Sequence, residues 1–306
     1  MNTPTIAIAG DPNAGKSTLV ATLAELDSVE ISDRAGTTKK ATKHSLKVDG
    51  EPIINFVDLP GFENPAEIIY WLKQNEDAET DDLAKFFVEK YSHQKDFEKD
   101  CEIMRSISNV VVCFVVDTSR PIQQKDKDQA EILSSCANYR VAIINKKNKS
   151  TNFKEIDNNS KKWERFLCKN FSTPYSFNPH YVDFKERLEL IKDIVRLHPD
   201  WRNKMKDIAA EYEQNWEWRL EESSHKLCDL LTEVAQIREK SSSKKGGNEI
   251  KKKIGATIDK KEKRFRKEIK KLFNHYKSEW KLPHNDILLQ EISSIVEWKM
   301  LGMIKI

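Results

Sequence analysis

Along the first two hundred residues the spacing of apolar positions changes period repeatedly, and each change marks an element. Residues 6–9 form an unbroken apolar run, and NVVVCFVVD (109–117) and YRVAIIN (139–145) read the same way. Runs of this length and continuity predict strands covered on both faces, as in a parallel sheet. The segment TKHSLKVDGEPIINFVDLPG (42–61) predicts two strands joined at Asp49-Gly50, a dipeptide suited to a tight hairpin. A short strand is expected at Pro174 to Phe177. Helical spacing fills the gaps: Leu19, Val20 and Leu23; Ile68, Ile69 and Leu72 behind Pro65; residues 123–136; Trp163 to Lys169; and Phe184 to Leu197. Residues 65–107, with a charged middle from Glu76 to Asp82, read as a helical insert of two or three helices. The alternation predicts an α/β, doubly wound sheet with helices on both faces and one antiparallel hairpin near its start.

After His198-Pro199 the strand-like runs stop. Met205, Ile208, Tyr212, Trp216, Leu220, Leu227, Leu231, Val234 and Ile237 recur at threes and fours, an apolar stripe on one long helix. SSSKKGGN (241–248) reads as a linker, and a basic helix is expected from Glu249 to about Trp280, stopped by Pro283 and followed by a short amphipathic helix. The expected domains are therefore 1–197 and 198–306, the second all-α and partly coiled-coil-like.

Composition changes this picture little. The chain has 306 residues, 38% hydrophobic and 33% charged, and a net charge of +3 too small to name a partner. Five cysteines without a C-x-x-C pair indicate neither a disulfide framework nor a zinc site, and the seven histidines show no metal spacing. No run approaches the roughly 18 apolar residues that span a bilayer. A cytoplasmic chain, at most peripheral at a membrane, is expected.

The chemistry concentrates in four places. GDPNAGKS, residues 10–17, fits G-x-x-x-x-G-K-[ST] and sits between a predicted strand and a predicted helix. Glycines let such a loop turn its N–H groups inward, and the helix that follows adds its positive end, which makes a polyphosphate site. Asn13, Ala14, Gly15, Lys16, Ser17 and Thr18 are the candidate phosphate ligands, with Lys16 reaching the terminal phosphates and Ser17 holding Mg²⁺. Asp58-x-x-Gly61 at a strand end can serve Mg²⁺ through Asp58 and offer the Gly61 N–H to a γ-phosphate. Thr37-Thr38 lie in a loop before the hairpin, where the Thr38 hydroxyl would complete the Mg²⁺ set. Asn145 and Lys146, followed by Asn148, stand where a base would be met. Lys16, Thr38 and Gly61 are the candidate catalytic groups.

With these motifs in that order, residues 1–197 resemble the Era/TrmE-like group of bacterial P-loop GTPases, of the translation-factor-related class. The resemblance rests on GDPNAGKST and on Gly36-Thr37-Thr38-Lys39, similar to the group's first-switch element. It implies a Ras-like fold, GTP and GDP as ligands, and Asn13 as a K⁺ ligand in place of an arginine finger. Phe62 stands where a Ras-like glutamine would orient water. Hydrolysis is then expected to be slow and to depend on K⁺, on a homodimer formed through the GTPase domain, or on a partner. The group's base motif is N-K-x-D, and here Asn148 replaces the aspartate. A neutral amide meets the two guanine donors badly, at a cost of about 1.5–3 kcal/mol. GTP with relaxed specificity leads, with XTP, ATP or a degenerate site left open.

Downstream, HPDWR (198–202), RFRKEIKKLFNHYKSEW and NPAEIIYWL are similar to bacterial GTPases that carry a helical domain of unknown function. Members of that group often continue into a membrane-compatible segment, which leaves open whether the natural chain extends beyond Ile306. The basic residues 249–281 suit a solvated face packed on the preceding helix, an anionic membrane, or nucleic acid. The expected function is a nucleotide switch coupled to a helical domain that meets a protein partner. A binding protein with little turnover and a membrane-associated, dynamin-like assembly are the alternatives.

Overall fold

The computed structural model describes residues 3–26, 40–75, 80–145, 153–178, 182–240 and 247–274. Its strands are β1 (Thr5–Ala9), β2 (Thr42–Val48), β3 (Glu51–Asp58), β4 (Val111–Asp117), β5 (Tyr139–Asn145) and β6 (Ser172–Phe177), joined in the order β2-β3-β1-β4-β5-β6. The β2–β3 pair is antiparallel and the other pairs are parallel. Asp49 and Gly50 turn the hairpin with φ of 50° and 89°, the two positive values that match the twist of the flanking strands.

The helices are α1 (Lys16–Leu23), α2 (Pro65–Lys73), α3 (Thr80–Tyr91), α4 (Glu98–Ile107), α5 (Gln124–Cys136), α6 (Phe153–Leu167), α7 (Phe184–Arg196), α8 (Pro199–Arg202), α9 (Lys204–Ala235) and α10 (Gly247–Leu272). Alternate strand residues explain the unbroken apolar runs. Ile6, Ile8, Val111 and Cys113 face one core with α1 and α7. Ala7, Ala9, Val112 and Phe114 face the other, with α2 to α6. Both faces are covered, so the apolar pattern cannot alternate with polar residues. Among the described residues the insert after β3 carries three α-helices and a short 3-10 turn at Lys95–Phe97, anchored in the second core by Ile68, Phe87 and Met104.

The chain divides into two compact units, Met1–Asn215 and Trp216–Ile306. The first runs past residue 197 because Trp201, Met205, Ala209 and Tyr212 belong to the same core as β1 and α7. Helical period alone cannot say which surface a stripe covers. In the second unit α10 runs antiparallel to the later part of α9. Glu233 meets Lys261 and Arg264, Lys226 meets Glu268, and Trp216 lies edge-on to Phe273 at 5.4 Å. Leu230, Val234 and Ile258 form its small core. Leu220, Leu227 and Leu231, placed on the predicted apolar stripe, are exposed instead. Helix α10 starts at Gly247, inside the expected linker, and ends at Leu272, short of the expected Trp280, where Asn274 takes a positive φ of 60° that an α-helix cannot continue through; the expected closing helix lies outside the described residues. Among the described residues no helix is long and apolar enough to cross a membrane.

Candidate functional site

Between β1 and α1 the backbone adopts conformations that most side chains avoid: φ is 144° at Gly10, 66° at Asn13 and 98° at Gly15. Gly10 is constrained twice, since a Cβ there would stand 2.3 Å from the carbonyl oxygen of Val115 on β4. Gly10→Ala must therefore push the loop off β4. A loss of at least about 2 kcal/mol is expected, read by urea unfolding, from overpacking and strain together. An unchanged denaturation midpoint would refute this close approach.

The loop delivers Lys16 into a nearly closed environment. Only 6% exposed, its Nζ donates to the carbonyl oxygens of Gly10 at 3.0 Å and Asp11 at 3.2 Å. Burial lowers its pKa, against the opposing pull of Asp58 and Asp11. Ser17 follows on the first turn of α1, and its Oγ donates to Asp58 Oδ2 at 2.6 Å. The parallel register sets Ile8 beside Asp58, which brings the buried carboxylate to the loop. Gly61 arrives by the same route, for a Cβ on it would come 3.1 Å from the Pro12 ring. From β5, Asn145 is buried and its Nδ2 donates to the Ala14 carbonyl at 2.9 Å.

Asn13, Ala14, Gly15, Lys16, Ser17, Thr18, Asp58, Gly61 and Asn145 thus gather at the carboxyl ends of β1, β3 and β5. In a doubly wound sheet this edge, where the strand order reverses, forms the ligand crevice. Thr37, Thr38, Lys146 and Asn148 lie outside the described residues.

Sequence reasoning missed a charged cluster around Asp11. Its Oδ2 accepts from Arg120 Nη2 at 3.1 Å and from Lys125 Nζ at 2.5 Å. Arg120 in turn grips Asp126 through both guanidinium nitrogens, at 2.6 and 2.8 Å, and these bonds hold its pKa up. Asp126 also accepts from the Gln123 N–H, closing a capping box at the start of α5. The spacing Gln123-x-x-Asp126 was the one available signal. The pairing with Asp11 had none, since its partners lie 109 and 114 residues away.

Two further contacts flank the predicted switch segments, and α4 supplies both. Glu102 Oε1 accepts from the Ala41 N–H at 2.9 Å, just after residues 27–39. The fully buried Asp100 accepts from the Glu63 N–H at 2.9 Å and from Asn64 Nδ2 at 2.8 Å, just after Gly61. Burial raises the Asp100 pKa, and the bonds from Asn64 and Glu63 partly offset it. Phe62 leans into the second core.

At the far end of α1, Glu25 takes a positive φ of 52° and turns its carboxylate inward. Its Oε1 accepts from Tyr212 of α9 at 2.7 Å and from Arg187 of α7 at 2.7 Å. The Arg187 guanidinium also lies 5.7 Å from the ring centres of Phe184 and Tyr212. The helix that begins at Lys16 therefore ends in a buried ionic joint with the helix that leads into the second unit. His198 is a structural residue: buried, stacked on Trp201 at 4.0 Å, and capping α8 through Nδ1.

Residues 5–147 match the family described as 50S ribosome-binding GTPase, and residues 164–304 match a domain of unknown function, DUF3482. GTPase Der of Agathobacter rectalis is 32% identical over 147 residues, which cover 47% of this chain and 27% of that protein. GTPase Era of Fusobacterium nucleatum is 27% identical over 203 residues, 64% of this chain and 58% of that one. A point variant of Aquifex aeolicus Era, solved with GDP and AlF4⁻, aligns over 65% of this chain and 58% of its own, at 22% identity and a TM-score of 0.42. The chain thus spans between about a quarter and three fifths of the lengths of these relatives.

Proposed function

We propose that this chain, whose residues 5–147 are a P-loop GTPase domain of the Era and Der kind, is a slow GTP-hydrolysing switch that passes its nucleotide state to the helical region beyond it. The observation that carries the reading is the convergence of Lys16, the Ser17–Asp58 pair and Gly61 on one loop. Lys16 and the loop N–H groups bind the β- and γ-phosphates. One hydroxyl and one buried carboxylate, both hard oxygen donors, fit Mg²⁺, which would neutralise phosphate charge there; Thr38 would join them. The Gly61 N–H senses the γ-phosphate. Asn13 is placed in the loop as the candidate K⁺ ligand, and Phe62 orients no water, so K⁺, a second GTPase domain or a partner must accelerate turnover.

Transmission has two routes. The contacts of Asp100 and Glu102 flank both predicted switch segments, which favours a change in the insert when GTP replaces GDP. The Glu25 joint links the end of α1 to α9. The helical region then meets a protein partner.

The test is equilibrium binding of GDP, XDP and ADP to the full chain with Mg²⁺, in KCl and in NaCl, beside Asn148→Asp. Preference for GDP, tightened about ten- to a hundred-fold in the variant, is expected from the restored charge-assisted pair. Tighter binding and faster turnover in KCl would support Asn13 as a K⁺ ligand; equal behaviour would remove it. Absence of any guanine preference would defeat the GTP reading.

A further inference from the structure

From Gly247 to Asn274 the chain carries eleven lysines and arginines against four carboxylates, and their arrangement matters more than their number. Glu249 pairs with Lys253 at 2.9 Å, Glu268 with Lys226 at 3.4 Å, and Glu262 with Arg266. Lys261 and Arg264 are held by Glu233 of α9 at 2.6 and 2.7 Å. Of the others, Lys252, Lys260, Lys263, Lys267 and Lys271 are all exposed and without an ion pair among the described residues. At 100° per residue these five fall within an arc of about 100°, and they extend over roughly 28 Å of helix. Between Lys252 and Lys271 no carboxylate stands inside that arc; Asp259 lies at its edge.

We propose that this lysine face binds the phosphate backbone of a nucleic-acid duplex without reading its sequence. Three features select that partner. Insertion into a bilayer would need the apolar side of α10, but Ile254, Ile258 and Phe265 are packed in the hairpin core with Leu230 and Val234. A single strand would be held by bases stacked on aromatic rings, and the lysine face has none: Phe265 is in that core and Phe273 lies against Trp216. Lysines are point charges that position a backbone, whereas base reading favours the planar forks of arginine, asparagine and glutamine. The inference does not depend on the nucleotide chemistry of the first unit.

The test is fluorescence anisotropy of the full chain with a labelled RNA duplex and a DNA duplex of the same sequence, each titrated with KCl. A second sequence controls for base reading. Five phosphate contacts predict a slope of log K against log salt near about −4 to −5, alike for both sequences. Changing Lys252, Lys260, Lys263, Lys267 and Lys271 together to Gln should weaken binding more than roughly tenfold at low salt and flatten the slope. Changing Lys43, Lys47, Lys73, Lys127 and Lys162 to Gln removes the same charge elsewhere and should leave the slope near its original value. Binding of either duplex supports the proposal, and the ratio of the two identifies the backbone preferred. Equal affinity of the α10 variant and the wild type would overturn it, as would sedimentation with phosphatidylserine vesicles without duplex binding.

Discussion

Glu25→Ala is expected to cost the first compact unit about 3–5 kcal/mol, the usual penalty for removing one partner of a buried charge pair. The side chains of Glu25 and Arg187 are 6% and 13% exposed, so solvent screens the pair weakly. Truncation would leave the Arg187 guanidinium and the Tyr212 hydroxyl without their shared acceptor. Tyr212→Phe removes one neutral donor and keeps the ring, so it should cost about 0.5–1.5 kcal/mol. Urea unfolding followed by far-ultraviolet circular dichroism measures both. A loss below about 1 kcal/mol for Glu25→Ala would mean that the joint is water-filled and contributes little. Under the proposed switch, an α1 that moved independently of α9 would lose one route of transmission. In Tyr212→Phe the GDP affinity should stay near that of the wild type, since its contacts lie at the far end of α1 from Lys16.

Lys16→Ala should reduce affinity for GTP analogues by at least ten- to a hundred-fold, since charge-assisted bonds contribute about 1.5–3 kcal/mol. Circular dichroism should be unchanged, because among the described residues the Lys16 ammonium bonds only to the carbonyls of its own loop. Titration calorimetry gives the number, and wild-type affinity in the variant would mean the loop does not hold phosphate. The lowered pKa adds a pH dependence whose sign follows from its cause. In the free protein burial disfavours the ammonium, whereas polyphosphate restores it, so binding takes up protons as pH rises toward that lowered pKa. Affinity therefore declines on the alkaline side, earlier than the ordinary lysine value of 10.5 would give. For the ligand-free fold the sign is opposite. The unfolded chain holds this proton more tightly, so stability rises between the lowered pKa and 10.5. Calorimetry stepped across the alkaline range up to 10.5, in buffers of different ionisation heat, would detect the uptake, and a heat independent of buffer throughout that range would exclude it.

Much of the first unit was legible in the sequence because its signals are local. The apolar runs at 109–117 and 139–145 became the central strands β4 and β5. Asp49-Gly50 became a turn with two positive φ values, and GDPNAGKS lies between β1 and α1. In each case the residues that carry the signal are the residues that obey it. Lys16, Ser17, Asp58, Gly61 and Asn145 could each be nominated from a motif at a strand end, and their grouping at one end of the sheet follows from the strand order.

The amino-acid sequence by itself therefore determined the strand and helix types, the phosphate loop, and the side of the sheet where its chemistry lies, through periodicity and short-range backbone preference. Tertiary structure decided what joins across long separations: Asp11 to Arg120, Ala41 to Glu102, Glu25 to Tyr212. It also decided that Met205, Ala209 and Tyr212 serve the first core, that Leu220, Leu227 and Leu231 stay exposed, and that five lysines of α10 share one open face. A helix of period 3.6 announces that it has an apolar side and a charged one. Which surface covers the first, and which carboxylates neutralise the second, depends on chain segments whose approach only the packed fold can set.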